Sequence, residues 1–361
     1  MVALTSPVSA VSVAANQVSP APLQLAGDLQ LFYLVVGVTL AVAGAVDLLW
    51  TTLWIDGGAG PLTTPLMVWT WRGLQSLRRG QSRLLSLSGP LILAMTLTMW
   101  VVLLWAGWTF IFASGTNALN YTRGAEPVSW IGRIYFVAYT MFTMGNGDFS
   151  PTSGVWQIVT ALANGSGMIL ITLSVTYLIN VLQAVVNARS FASSVQGIAE
   201  CSEAFVRTGW DGENFDEHAI PLDTFASKLS TVAAQHKAFP ILHYYRSSRR
   251  QQATPMAVGV FDDALTMLRF GVDPEHRPNE PLLETGRSSV QSYLQSVYSL
   301  PIRPSDRPPS APNLDVVREE GVPTVSDEEF DGRLADLSDR RRRVLGIVES
   351  QAWQWPSQRE P

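Results

Sequence analysis

The chain has 361 residues, 47% of them apolar and only 15% charged, with a net charge of −5. That charged share lies well below the roughly 25% of soluble domains, and the acidic balance argues against a nucleic-acid binder built on phosphate contacts. One cysteine, Cys201, excludes an intrachain disulfide and a cysteine-based zinc cluster, and His218, His236, His243 and His276 show no ligand spacing.

Charge is unevenly placed. Of the 25 Lys and Arg residues, only Arg72, Arg78, Arg79, Arg83, Arg123 and Arg133 precede residue 189, so a membrane half precedes a soluble half. Residues 1–28 carry no Lys or Arg and lack the basic start of a signal peptide; they are expected to form an extracellular tail. The first apolar span runs from about Leu29 to Ile55, long enough to cross about 30 Å of hydrocarbon. It contains one charge, Asp47, which reads either as a functional pairing or as a carboxylate reaching for the interface. The rest of residues 29–89 is a loop in which Leu66, Met67, Trp69, Trp71, Leu74 and Leu77 interleave with arginines. It reads as an amphipathic helix lying at the membrane surface, or as a plain linker. Its arginines place this loop in the cytoplasm, which puts the N-terminus outside and the C-terminus inside the cell membrane.

A second span, about Leu91 to Ala113, and a third, about Val155 to Val186, carry no charge. Between them Trp130–Phe142 is apolar, aromatic and too short to cross, which fits a re-entrant half-helix. The string Thr143, Met144, Gly145, Asn146, Gly147, Asp148 follows at once. Its glycines permit the backbone angles that turn a row of carbonyls toward a cation. Asp148 would raise the local cation concentration, and the half-helix would aim its negative end at the same point.

The order span, half-helix, Thr-x-Gly-x-Gly-Asp, span resembles the pore module of the potassium-channel superfamily over residues 90–188. Pro151, three residues after the aspartate, agrees with that pattern, and so does Gly167, nineteen after it. The resemblance implies that Thr143 to Gly147 line a selectivity filter, that Asp148 guards its outer mouth, and that four copies close the ring. It implies a gating hinge at Gly167, with Gly165 as a second flexible point; ordinary close packing of helices is the other reading of these glycines. Ile171 and Val175, one and two turns on, would face the cavity. The sequence departs from the usual Thr-Val-Gly-Tyr-Gly filter: Met144 replaces valine, Asn146 replaces the aromatic, and Phe142 stands where a second threonine is usual. Asparagine is too small to fill the volume of the aromatic, and Gly-Asn-Gly is similar to the Gly-Asp-Gly of members that pass sodium as well as potassium. No arginine ladder marks a voltage sensor.

Residues 189–301 read as a helical cytoplasmic region, with helical spacing through Phe191–Val206, Leu222–Phe239 and Phe261–Phe270. No Gly-x-Gly-x-x-Gly follows a strand, and no catalytic constellation marks an enzyme. The ring-rich stretch His236–Arg246 is a ligand site or a surface turn with packed aromatics. In residues 302–361 a Pro- and Ser-rich flexible linker, to about residue 325, leads to a helix from Asp327 to Gln351. The run Arg340 to Arg343 within it is a solvated face or a contact with anionic headgroups.

The expected fold is thus an all-α membrane protein: a span, re-entrant helix and span, one additional N-terminal span, and a mostly helical C-terminal region. The expected function is a homotetrameric potassium or monovalent cation channel in contact with lipid, needing no cofactor beyond permeant K+ or Na+ and binding no nucleic acid, with any cytoplasmic ligand unidentified. The alternative is a non-conducting membrane anchor for a cytoplasmic binding or signalling module.

Overall fold

A computed structural model of the protein describes residues 21–55, 58–76, 86–124, 126–298 and 302–355. Most of the expected N-terminal tail, and Leu77, Arg78, Arg79 and Arg83 of the loop, lie outside the described residues. The helices in chain order are α1 (Ala21–Leu53), α2 (Thr63–Ser76), α3 (Ser88–Ser114), α4 (Trp130–Met141), α5 (Val155–Ile198), α6 (Ser202–Gly209), α7 (Ala219–Ala238), α8 (Thr254–Thr266), α9 (Glu280–Tyr298), α10 (Asp315–Arg318), α11 (Asp327–Asp336) and α12 (Ser338–Ser350). Two three-residue strands, β1 (Leu119–Tyr121) and β2 (Phe149–Pro151), pair antiparallel with Asn120 opposite Ser150.

Among the described residues three helices are long and apolar enough to cross a membrane: Gly27–Leu53, Ser88–Ser114 and Val155–Ile198. Each stays helical because no proline lies beyond its first turn, where Pro90 is tolerated, and its apolar side chains surround the whole circumference, so burial by lipid does not depend on one face. The described residues form two compact units, one of residues 21–42 and 104–166, the other of residues 43–103 and 167–355.

In the first unit α1 packs on α3 through small residues. A Cβ on Gly37 would stand 2.7 Å from the Gly107 carbonyl oxygen, and one on Gly107 would stand 2.6 Å from the Ala41 amide. Backbones that approach this closely gain dispersion contacts that lipid cannot supply. Tyr33 of α1 also meets the Trp130 ring edge-on at 5.3 Å, so the additional span touches the first residue of the re-entrant helix.

The second unit answers the question of Asp47. Its carboxylate is fully buried. It accepts from the amides of Leu62 (2.7 Å) and Thr63 (3.1 Å), from the Thr63 hydroxyl, and from Trp100 Nε1 at 2.8 Å. The charge therefore caps the N-terminus of α2, whose first amides have no partner within the helix. A Cβ on Gly60 would lie 2.3 Å from Asp47 Oδ1, so only glycine lets the chain close over the carboxylate. On α2 itself, Met67 and Trp71 are buried while Trp69 is exposed, as an amphipathic helix requires.

Helix α5 does not stop at Val186. No Gly or Pro lies between Val186 and Phe191, so the third span and the expected next helix are one element. Its last turns place Phe191, Ala192 and Val195 in the same buried cluster as Phe225 and Leu229 of α7, Phe261 and Leu265 of α8, and Leu294 of α9. Helix α8 is buried at every residue from Pro255 to Thr266.

Three expectations do not hold. The stretch after residue 302 is not a loose linker: Leu314, Val317, Val322 and Val325 join the core cluster, and Thr324 bridges to Val272. Its prolines set extended backbone that lies flat on the core rather than free of it. Nor is the arginine run a solvated face or a headgroup contact throughout. Arg340 donates to Asp262 at 2.6 Å, and Arg341, buried, donates to Asp263 and to the carbonyls of Pro309 and Ser310. Two acids on a wholly buried helix demand partners, and the next-to-last and last helices, separated at Leu337, turn these arginines inward. Nor does the ring-rich stretch form a surface turn: Pro240–Tyr244 is buried throughout.

Replacing Asp47 by Ala leaves two backbone amides, a hydroxyl and an indole N–H without their acceptor. We expect a loss of about 3 kcal/mol, read by thermal or denaturant unfolding in detergent; a variant of wild-type stability would refute the capping role. Burial also lowers the pKa of His236 to about 3, aided by neighbouring His243, and that of His243 to about 4. Both are neutral in the fold, whereas the unfolded chain takes up protons below about pH 6.5. Stability therefore drops as pH falls from about 6.5 toward 4. The melting temperature should decline over that window, and His243→Leu should flatten the decline.

Candidate functional site

The re-entrant helix α4 starts with Ser129, whose hydroxyl accepts the Gly132 amide at 3.1 Å. It ends by tightening: Phe142 N–H donates to Ala138 O, Thr143 N–H to Thr140 O, and Met144 N–H to Tyr139 O at 2.8 Å. This closure satisfies the carbonyls of Ala138, Tyr139 and Thr140 and turns the chain into the Thr-Met-Gly-Asn-Gly-Asp string.

Along that string Thr143 has φ +56°, Gly145 +67° and Gly147 +42°, while Met144 and Asn146 stay on the negative side. In an ordinary strand successive residues point to opposite faces. Alternating the sign of φ instead turns successive carbonyls toward one side. Open space surrounds the Cβ positions of Gly145 and Gly147, so backbone angle, not crowding, requires glycine there. Thr143 adopts a left-handed angle without being glycine, a strained state that its surroundings must hold.

Among the described residues, the carbonyls of Thr143, Met144, Gly145 and Asn146 accept no hydrogen bond from the chain. The next two are taken. Thr122 donates its hydroxyl to Gly147 O at 2.8 Å and its amide to Asp148 O at 3.0 Å. The β1–β2 pair continues this tether, and Tyr139 OH donates to Phe149 O at 2.8 Å. Four carbonyls are thus left available, and Gly147, expected in the same row, is turned to Thr122.

The place behind this string is filled from α4. Asn146 Nδ2 donates to the Tyr135 hydroxyl at 2.5 Å, and that hydroxyl donates to Asp148 Oδ2 at 3.3 Å. The Tyr135 ring stands edge-on to Tyr139 at 5.2 Å and to Phe149 at 6.4 Å. Asparagine lacks the volume of an aromatic, but a tyrosine eleven residues earlier supplies the ring, and the short amide reaches its hydroxyl.

Thr122 and Tyr135 escaped sequence reasoning. Thr122 bears no signal, since it comes from a loop 25 residues before the Gly147 carbonyl it bonds. Tyr135 could have been found, because a re-entrant helix places the residues of its last two turns beside the loop that follows it. Of the other expected positions, Gly165 and Gly167 both lie inside an unbroken α5, and open space surrounds Gly165. Ile171 and Val175 are 43% and 50% exposed. No group of His, Cys, Asp and Glu that could hold a metal ion occurs among the described residues.

A paired span, re-entrant helix and inner span with this loop define an ion-channel pore module, and residues 95–184 match a protein family described as ion channel. The module is of the potassium-channel type, with one N-terminal helix added. Over 328 residues the chain is 40% identical to the uncharacterized membrane protein YdjJ of Bacillus subtilis (strain 168), which covers 91% of this chain and 96% of the relative. The chain belongs to the same family as that membrane protein. No solved structure matches it.

Tyr135→Phe removes both hydrogen bonds that join Asn146 to Asp148 and keeps the ring. If this link holds the Thr143–Asp148 string, single-channel currents of the variant should flicker or decline within a recording while protein yield and melting temperature stay close to wild type. Unchanged current stability would show that the link is idle.

Proposed function

We propose that four copies of the chain form a channel for monovalent cations, passing K+ and, with it, Na+. The observation that carries this reading is the run of carbonyls from Thr143 to Asn146, without partners among the described residues and held at alternating backbone angles, which ends where Gly147 and Asp148 accept from Thr122. A backbone carbonyl within a membrane needs a donor or a cation, and the absence of any chain donor leaves a permeating ion and its water to fill that role. One chain supplies one such row, and a ring of carbonyls needs several copies around an axis. The side chains of Ile171 and Val175, exposed in the single chain, suit the lining of the shared cavity.

Asp148 adds negative charge beside the row and attracts cations to its mouth. Selectivity rests on Asn146. A filter held by an amide–phenol bond has fewer packing contacts than one held by a large ring, so it resists expansion less. That favours conduction of both K+ and Na+ over strict K+ selection. The arginines of the loop between α1 and α3 favour an orientation in the plasma membrane with that loop and the C-terminal region in the cytoplasm.

The test is the reversal potential of the purified protein in planar bilayers with K+ on one side and Na+ on the other. We expect a value displaced only partly toward the K+ equilibrium potential. A potential that tracks K+ alone rejects the mixed-cation reading, and well-folded oligomers without cation current reject the channel. Gly145→Ala places a Cβ at φ +67°, at a cost of about 1–2 kcal/mol, and should abolish current. Asp148→Asn should lower current several-fold at low salt and much less at high salt.

A further inference from the structure

The second unit contains an open cavity of about 840 Å3, within the roughly 300–1,000 Å3 of small-molecule sites. One wall is a single face of α2, where Val68, Trp71, Arg72 and Gln75 recur at helical spacing. The others are the His243–Tyr244 turn, the strap of residues 302–307 and the last turn of α12. These walls are fixed. Trp71 packs on Tyr244 at 5.6 Å and on His243 at 6.4 Å. Ser305 N–H donates to Arg342 O at 3.0 Å, and Arg342 Nε returns a bond to Ser305 O at 2.8 Å. The strap crosses α12 at Gly346, where a Cβ would stand 2.4 Å from Arg303 O.

Five arginines of the C-terminal region, Arg207, Arg269, Arg318, Arg340 and Arg341, meet carboxylates; those of the cavity do not. Arg72, Arg303 and Arg307 line the cavity, and among the described residues none of them has a carboxylate within 4.0 Å or a hydrogen bond from its guanidinium. Two acids, Asp306 and Glu349, also line it without an ion pair. His243 is neutral at pH 7, its pKa lowered to about 4 by burial, so the arginines alone supply positive charge. Three planar guanidinium forks around one space match the oxygens of a phosphate. Carboxylates at the same rim repel a bare anion but accept hydrogen bonds from hydroxyl groups.

We propose that this cavity binds a small phosphorylated polyol or sugar, its phosphate held by Arg72, Arg303 and Arg307 and its hydroxyls by Asp306 and Glu349. A ligand there joins α2 to the strap, which is itself pinned to α12. The Tyr244 carbonyl accepts the Ser88 hydroxyl at 2.6 Å, so one cavity wall is bonded to the first turn of the membrane-spanning helix α3. Binding in this cavity is independent of the conduction reading.

Calorimetric titration of the full-length protein in detergent tests the site with two probes: ribose 5-phosphate, and dioctanoyl phosphatidic acid as the lipid form of the same phosphate chemistry. We expect saturable binding of ribose 5-phosphate, weakened at least tenfold in Arg72→Gln and in Arg303→Gln/Arg307→Gln, and unchanged in Arg249→Gln. Binding of the lipid probe alone, with the same dependence on the three arginines, assigns the phosphate to a headgroup and overturns the sugar. Absence of saturable binding to both probes, or binding indifferent to the arginines, overturns the site. Because the three side chains bond nothing in the protein, the variants should keep the wild-type melting temperature. Should one melt early, Arg303→Lys/Arg307→Lys, which keeps charge but loses the forks, decides: weaker binding supports the site and equal binding overturns it.

Discussion

Backbone polar groups must find partners wherever water is scarce, and the membrane half of this protein holds a run of carbonyls, Thr143 to Asn146, that has none among the described residues. The run is anchored on both sides. The end of α4 folds back on itself, Thr122 takes the two positions that follow, and β1 pairs with β2. The alternation of positive φ at residues 143, 145 and 147 is a conformation an isolated peptide would not hold. It persists because its two ends are anchored and Tyr135 links its middle to its outer end.

The same need for partners explains the additional span. A lone acid within an apolar helix is costly, and Asp47 is kept because α2 begins beside it and needs an acceptor. Cap and charge neutralise one another, and Trp100 of α3 closes the group. The first span is therefore more than an anchor. It positions the loop helix through Asp47 and, through Tyr33, touches the start of the re-entrant helix.

The C-terminal region repeats the pattern with ions. Asp262 and Asp263 sit on a helix with no exposed residue from Pro255 to Thr266, and the arginines that answer them come from the far end of the chain. Removing either partner would leave a buried charge unpaired, which is far more costly than the pair is stabilising. That coupling explains why the proline-rich stretch lies on the core. It must carry α12 to a fixed position, and the carbonyls of Pro309 and Ser310 complete the shell of Arg341. Helix α5 enters this core without a break, so a displacement of the core is a displacement of the lower part of α5.

Features with a local cause were legible in the sequence. Apolar runs about 20 residues long can only be spans, a short aromatic run before Thr-x-Gly-x-Gly-Asp can be a half-helix, and glycines at alternate positions announce the backbone angles found there. The interleaved tryptophans of α2 show an amphipathic helix for the same reason. Features that depend on meeting a distant residue were not legible. Nothing in the string around Arg341 distinguishes it from a solvated charge, because its partner lies 78 residues away. Asp47 could not reveal Trp100, nor Asn146 reveal Tyr135, nor Gly147 reveal Thr122. Composition and periodicity encode what each segment needs, namely lipid, a cap or a counter-charge. Only the tertiary structure, by bringing remote segments within hydrogen-bond reach, decided which group meets each need and which carbonyls of the Thr143–Asp148 string were left open.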